Sequence, residues 1–146
     1  MGFVWGISDL ISILLADDHK IVRQGVRALL EYEPDLEIVG EASDGAEALA
    51  LLDALRPDIL VTDLSMPAYN GIELAAKIRM HGWLTKVVLL SMHGDEPYLV
   101  AAFNNGASAY VLKESGVEHA VMAIREALAG RRYVSPPLVL PNQVVK

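Results

Sequence analysis

Five polar residues stand where an apolar stretch gives way to a helical pattern. Asp17 and Asp18 follow Ile11–Ala16, Asp63 follows Asp58–Thr62, Ser91 closes Val87–Ser91 and Lys113 follows Ala109–Leu112. If those stretches are parallel strands of one sheet, three carboxylates, a hydroxyl and an ammonium converge at one edge. Carboxylates packed together repel and raise one another's pKa unless a cation compensates. A hard divalent ion such as Mg²⁺ supplies that compensation through oxygen ligands, leaving room for waters and phosphate oxygens. An ionised Asp is also a nucleophile for phosphoryl groups and needs no general base. Such transfer asks for in-line positioning and neutralised equatorial charge, which a metal ion, Lys113 and the Ser91 hydroxyl would provide.

Taken singly, each residue has a plainer role. Asp18 suits the N-cap of the following helix. Asp63, before Leu64-Ser65-Met66-Pro67, suits a turn. Ser91 alone suggests a structural hydroxyl and Lys113 alone a solvated charge. It is their coincidence at successive strand ends that points to chemistry.

The elements that must position them are legible as an alternation. Apolar, β-branched-rich runs occupy Ile11–Ala16, Leu36–Ala42, Asp58–Thr62, Val87–Ser91 and Ala109–Leu112. Several are nearly continuous, as strands buried on both faces are. Helical patterns fill Lys20–Tyr32, Gly45–Leu55, Gly71–His81, Glu96–Asn105 and Val117–Ala129. The first places Val22, Val26, Leu29 and Leu30 on one stripe, with Arg23 and Arg27 off it. Gly25 within it predicts either close packing or a helix boundary. Repeated strand–helix units with short connections imply right-handed crossovers with helices on both faces. The fold class is therefore α/β, a doubly wound five-stranded parallel sheet whose chemistry lies at the carboxyl ends of the strands.

Composition agrees. The 146 residues suit one domain, and 53% apolar with 21% charged content excludes an intrinsically disordered chain. Twelve Lys+Arg against 19 Asp+Glu leave a formal charge of −7, which argues against a basic nucleic-acid surface. Zero Cys excludes disulfides and thiolate chemistry. No run is long and apolar enough for a membrane span, and residues 1–10 lack the basic start of a secretory signal. They read as a leader, with the domain over 11–130. Residues 131–146, with Pro136, Pro137 and Pro141 and no helical period, read as a linker or tail leaving the domain. His19, His81, His93 and His119 show no metal-binding spacing, and His19 is expected to start a helix.

With these motifs in order, the sequence resembles receiver domains of bacterial two-component response regulators. The stretches carrying the likeness are Ile13-Leu14-Leu15-Ala16-Asp17-Asp18-His19, Asp63-Leu64-Ser65-Met66-Pro67 with Asn70-Gly71-Ile72-Glu73, Val87-Val88-Leu89-Leu90-Ser91 and Ala109-Tyr110-Val111-Leu112-Lys113. The resemblance implies a flavodoxin-like (βα)5 receiver fold with strand order 2-1-3-4-5. It implies Asp63 as phosphoacceptor, served by a sensor histidine kinase, and Mg²⁺ held by Asp18, Asp63 and the Ser65 backbone carbonyl, with Asp17 ligating directly or through water. Lys113 would pair with phosphoryl oxygens, Ser91 would be the switch hydroxyl, and Tyr110 the switch aromatic that turns inward with it. Asp17-Asp18-His19, Arg23-Gln24-Gly25, Gly40-Glu41-Ala42-Ser43-Asp44-Gly45 and Gly130-Arg131-Arg132-Tyr133-Val134-Ser135 are similar to the NarL/FixJ group. That group implies a cytoplasmic regulator that dimerises on phosphorylation and binds DNA through a LuxR-type helix-turn-helix, which would lie beyond Lys146. Glu114 after Lys113, where Pro is common in the family, and Ser91 in place of Thr are departures that leave the chemistry intact.

Three rivals make different demands. A phosphatase of the haloacid-dehalogenase type needs a second Asp two residues after its nucleophile, where Ser65 stands. A flavin carrier needs a Ser/Thr/Gly-rich phosphate loop after the first strand, and Asp17-Asp18-His19 occupies that place. A receiver that only dimerises would not need the acidic residues, the hydroxyl and the lysine together. The expectation is thus a switch that catalyses no reaction beyond its own phosphorylation and dephosphorylation; a stand-alone receiver is the alternative to a regulator fragment.

Overall fold

A computed structural model of the protein describes residues 10–144. The leader at 1–10 lies outside the described residues except for Leu10. Strands β1 (Ile11–Ala16), β2 (Leu36–Ala42), β3 (Ile59–Asp63), β4 (Lys86–Ser91) and β5 (Ala109–Leu112) alternate with helices α1 (Lys20–Leu30), α2 (Gly45–Leu55), α3 (Gly71–His81), α4 (Glu96–Asn104) and α5 (His119–Leu128). All strand pairs are parallel, and the spatial order over these strands is 2-1-3-4-5.

The continuous apolar runs follow from the alternation of side chains across a strand. In β1, Leu14 and Ala16 join the core beneath α2, α3 and α4, with Leu60, Leu74, Leu89 and Phe103. Ile13 and Leu15 point the other way, into a core with Val26, Leu30, Val61, Val88 and Ile124 beneath α1 and α5. The central strands β1, β3, β4 and β5 are therefore mostly apolar along their length, and at their carboxyl ends the polar residues Asp17, Asp63, Ser91 and Lys113 begin.

One expectation fails on strand count. The sheet has a sixth strand, β6 (Tyr133–Val134), parallel to β5 with Tyr133 opposite Ala109 and Val134 opposite Tyr110. The described part of 131–146 therefore does not leave the domain but packs back on it. Ser135 is fully buried; its N–H donates to Tyr110 O and its hydroxyl accepts from Leu112 N at 2.9 Å. Leu138 packs against the α2–α4 core. A strand of two residues shows no period, and the prolines that follow it read as a linker, so the sequence pattern conceals it.

Gly25 also departs from expectation. It lies inside α1 and is exposed, and a Cβ there would meet nothing within 4 Å, so neither packing nor a boundary accounts for it.

Candidate functional site

The loops at the carboxyl ends of β1 and β3 hold the acidic residues. Asp17 continues the β1–β2 ladder by one bond, its N–H donating to Ala42 O at 3.0 Å. Asp17 Oδ1 accepts from the His19 backbone N–H at 2.8 Å, which turns the chain toward α1. Asp18 does not cap α1; the N-cap position belongs to His19, which makes no side-chain capping bond. On the other strand, Asp63 is the last residue of β3, and the loop 64–70 leads from it to α3. Asn70 and Glu73 form a reciprocal capping box at the start of α3. Gly71 allows the close approach: a Cβ there would sit 2.9 Å from Asp63 O and 2.5 Å from Leu89 Cδ2.

Asp17, Asp18 and Asp63 converge as the strand ends predict. Each, together with His19, offers a ligand atom, and all of these atoms lie within 4.8 Å of one another. His19 Nδ1 lies 3.1 Å from Asp18 Oδ1 and 3.4 Å from Asp17 Oδ1, so the helix-start residue also faces the acidic cluster. Lys113 Nζ stands 3.3 Å from Asp63 Oδ1 and 3.4 Å from Asp17 Oδ2, bridging the two buried carboxylates. Burial pushes the Asp63 carboxyl above its ordinary value; Lys113 opposes the shift and Asp17 adds to it. The Ser65 backbone N–H bonds to the Asp63 carboxylate and also opposes the shift.

Ser91 and Tyr110 form a second group beside the first. Both are buried, and they are joined through one peptide segment: Ser91 Oγ accepts from His93 N at 2.9 Å, and Tyr110 Oη donates to His93 O. Tyr110 thus occupies an inward position, fully enclosed. The His93 ring stacks on Tyr98 with centroids 5.0 Å apart, which continues the group onto α4.

Carboxylates at the ends of two adjacent strands, facing a lysine just beyond a third, are what a receiver needs, and comparison with known proteins agrees. Residues 13–125 match the response regulator receiver domain. The chain belongs to the response regulator receiver family. It is 38% identical over 127 residues to the nitrate/nitrite response regulator protein NarL of Escherichia coli K12, covering 87% of this chain and 59% of that protein. It is 40% identical over 138 residues to the oxygen regulatory protein NreC of Staphylococcus aureus, covering 92% and 64%. The chain therefore spans less than two thirds of the length of these curated relatives. Among solved structures, a LuxR-family two-component response regulator from Aurantimonas superposes with a TM-score of 0.82 at 42% identity, covering 87% of this chain and 91% of that one. The isolated receiver of RcsB from Salmonella enterica, with the phosphomimetic BeF₃⁻, superposes at 0.79 with 28% identity, covering 92% and 96%. This receiver is of the NarL/LuxR type.

The receiver's donor set suits a hard divalent cation. Three carboxylates converge here while Lys113 pairs with two of them, Asp17 and Asp63, and oxygen donors of this kind fit Mg²⁺. Among the described residues no helix is long and apolar enough to cross a membrane.

Sequence reasoning passed over two residues behind the carboxylates, Arg23 and Glu41. Arg23 was visible only as a cation off the apolar stripe of α1, and Glu41 as part of the Gly40–Gly45 stretch. Nothing in their spacing reveals that they meet across the β1–α1 loop.

Proposed function

We propose that the protein is a phosphorylation switch in which Asp63 accepts a phosphoryl group from a phosphohistidine on a sensor histidine kinase. The observation that carries this reading is the bridging Lys113, 3.3 Å from Asp63 Oδ1 and 3.4 Å from Asp17 Oδ2. An Asp63 oxygen attacks phosphorus, the phosphorus–nitrogen bond breaks with its electron pair going to the imidazole, and an acyl phosphate forms. The imidazole leaves neutral when its other nitrogen carries a proton. Lys113 neutralises phosphoryl oxygen charge as it develops, and the nearly buried carboxylate keeps that interaction out of bulk water. Asp18 and Asp63, the Ser65 carbonyl and Asp17, directly or through water, would hold Mg²⁺. The bound ion would add positive charge against the phosphoryl oxygens. The chain's own phosphorylation and dephosphorylation are the only reactions assigned to it.

Ser91 and Tyr110 read the result. If the Ser91 hydroxyl turns toward the phosphoryl group, it gives up His93 N, the segment to which Tyr110 is also bonded. A local charge change thereby biases the face formed by α4 and β5. The output is a homodimer that regulates transcription in the cytoplasm; the similar transcriptional regulatory protein DegU of Brevibacillus brevis and the DNA-binding LuxR-family response regulator of Staphylococcus aureus support that direction.

Mg²⁺-dependent labelling by acetyl phosphate tests the reading. Asp63→Asn should abolish incorporation, and full labelling of that variant would defeat the proposal.

A further inference from the structure

Behind the acidic cluster lies a closed ring of polar contacts. Asp17 N donates to Ala42 O, so the Asp17 peptide is tied to the end of β2 on one side. On the other side, the Asp17 carbonyl accepts from Arg23 Nη1. Arg23 Nε in turn donates to Glu41 Oε1 at 2.8 Å, and Glu41 is the residue before Ala42. The ring runs Asp17, Ala42, Glu41, Arg23 and back to Asp17. It clamps the base of the β1–α1 loop between a strand end and the first turns of a helix.

The clamp is protected and anchored. The Arg23 side chain is only 15% exposed. Arg27, one turn further along α1, donates to the other oxygen of Glu41 and pairs with Glu31 Oε2 at 3.0 Å. Burial alone would raise the Glu41 carboxyl, but its bonds to Arg23 and Arg27 outweigh burial and hold it below its ordinary value, so it stays an anion. A planar guanidinium can serve a carbonyl and a carboxylate at once in fixed directions; an ammonium on a flexible stem cannot.

We propose that Arg23 is a positioning residue for the acidic site: anchored on Glu41, it fixes the Asp17–Asp18–His19 loop so that its carboxylates meet a divalent cation together with Asp63. The inference rests on the reading of that site as a cation site. Three backbone donors of the same loop complete its geometry. Asp17 N is held on Ala42 O, His19 N on Asp17 Oδ1, and Arg23 N on His19 O at 3.0 Å. Residues that orient metal ligands in this way change affinity about 10- to 100-fold when removed.

The test is Mg²⁺ titration calorimetry on the full chain, with amide exchange at Asp17 and His19, at a temperature where each variant is folded. Arg23→Ala should weaken Mg²⁺ binding by about 10-fold and speed exchange at both amides. Arg23→Lys should recover only part of the affinity, and Glu41→Gln should shift it in the same direction by less. Arg27→Ala, which loses a Glu41 bond without touching Asp17, should leave affinity within about twofold of the parent. A folded Arg23→Ala protein within that same range overturns the inference, as does an Arg27→Ala loss equal to that of Arg23→Ala. If Arg23→Ala does not fold, Arg23→Lys and Glu41→Gln decide: parental affinity in both overturns it. A parent that binds no Mg²⁺ overturns the cation site itself, an outcome distinct from a parent that binds and an Arg23→Ala protein that binds equally well.

Discussion

Charged residues gather at both ends of the sheet, and the two gatherings behave oppositely. At the carboxyl ends of the strands, Asp17, Asp18 and Asp63 crowd together, with Lys113 against Asp17 and Asp63. At the amino ends, Arg125 of α5 makes two bonds to Asp35, at 2.6 and 2.8 Å, and one to Glu33 at 2.9 Å. The same residue type feels contrary environments. Asp63 is held above its ordinary value, chiefly by burial, whereas its bond to Arg125 holds Asp35 below. One end of the sheet is satisfied by the fold itself. The other keeps an excess of negative charge that the fold does not cancel, which is the signature of a place built to receive something.

That contrast can be broken most severely at Lys113. Lys113→Ala removes the ammonium facing Asp63 and should slow phosphoryl transfer by about 10²-fold, as loss of one preorganised charge partner does. Rapid-quench labelling with acetyl phosphate measures it, and a rate near the parent's would mean that Lys113 only offsets the carboxylates.

A smaller effect separates the two aspartates by pH, with a chelator present. Because Asp63 titrates above the ordinary 3.8, its contribution to stability is full below that pH and is lost as pH rises through the raised value. Asp35 has the reverse sign: its contribution is full above 3.8 and lost as pH falls through its lowered value. Asp63→Asn should therefore raise the urea midpoint at pH 7 and flatten the decline on the alkaline side of the acidic range. An unchanged midpoint at pH 7 would show that the cluster is not strained without a cation.

The smallest change is expected at the satisfied end. Arg125→Met should cost about 1 kcal/mol or less, since these partly exposed pairs are screened by water. Its urea midpoint should fall slightly while phosphoryl labelling stays at the parental rate.

How much of this was legible depends on how local the signal is. Asp63 and Lys113 could be found because an apolar strand buried on both faces must end where a polar residue begins, and a parallel sheet aligns such ends. The five long strands and five helices were legible for the same reason, their periods running over several residues. β6 was not, because Tyr133–Val134 is too short to carry a period and its pairing depends on β5, more than 20 residues earlier. Arg125 with Asp35, and Arg23 with Glu41, were also hidden. Each pair joins a helix to a distant strand end, and a charge on a helix reads as solvated until its partner is known.

The sixth strand has a consequence for the company the molecule keeps. Without it, β5 would be a border strand with a free row of backbone groups, open to pairing with any extended chain. Tyr133–Val134 covers that row. Ser135, which follows, spends its own N–H on Tyr110 O, and Pro136 and Pro137 have none to offer. The border on this side is therefore short and chemically blunt. The strand bearing Tyr110 is closed to strand addition by foreign chains.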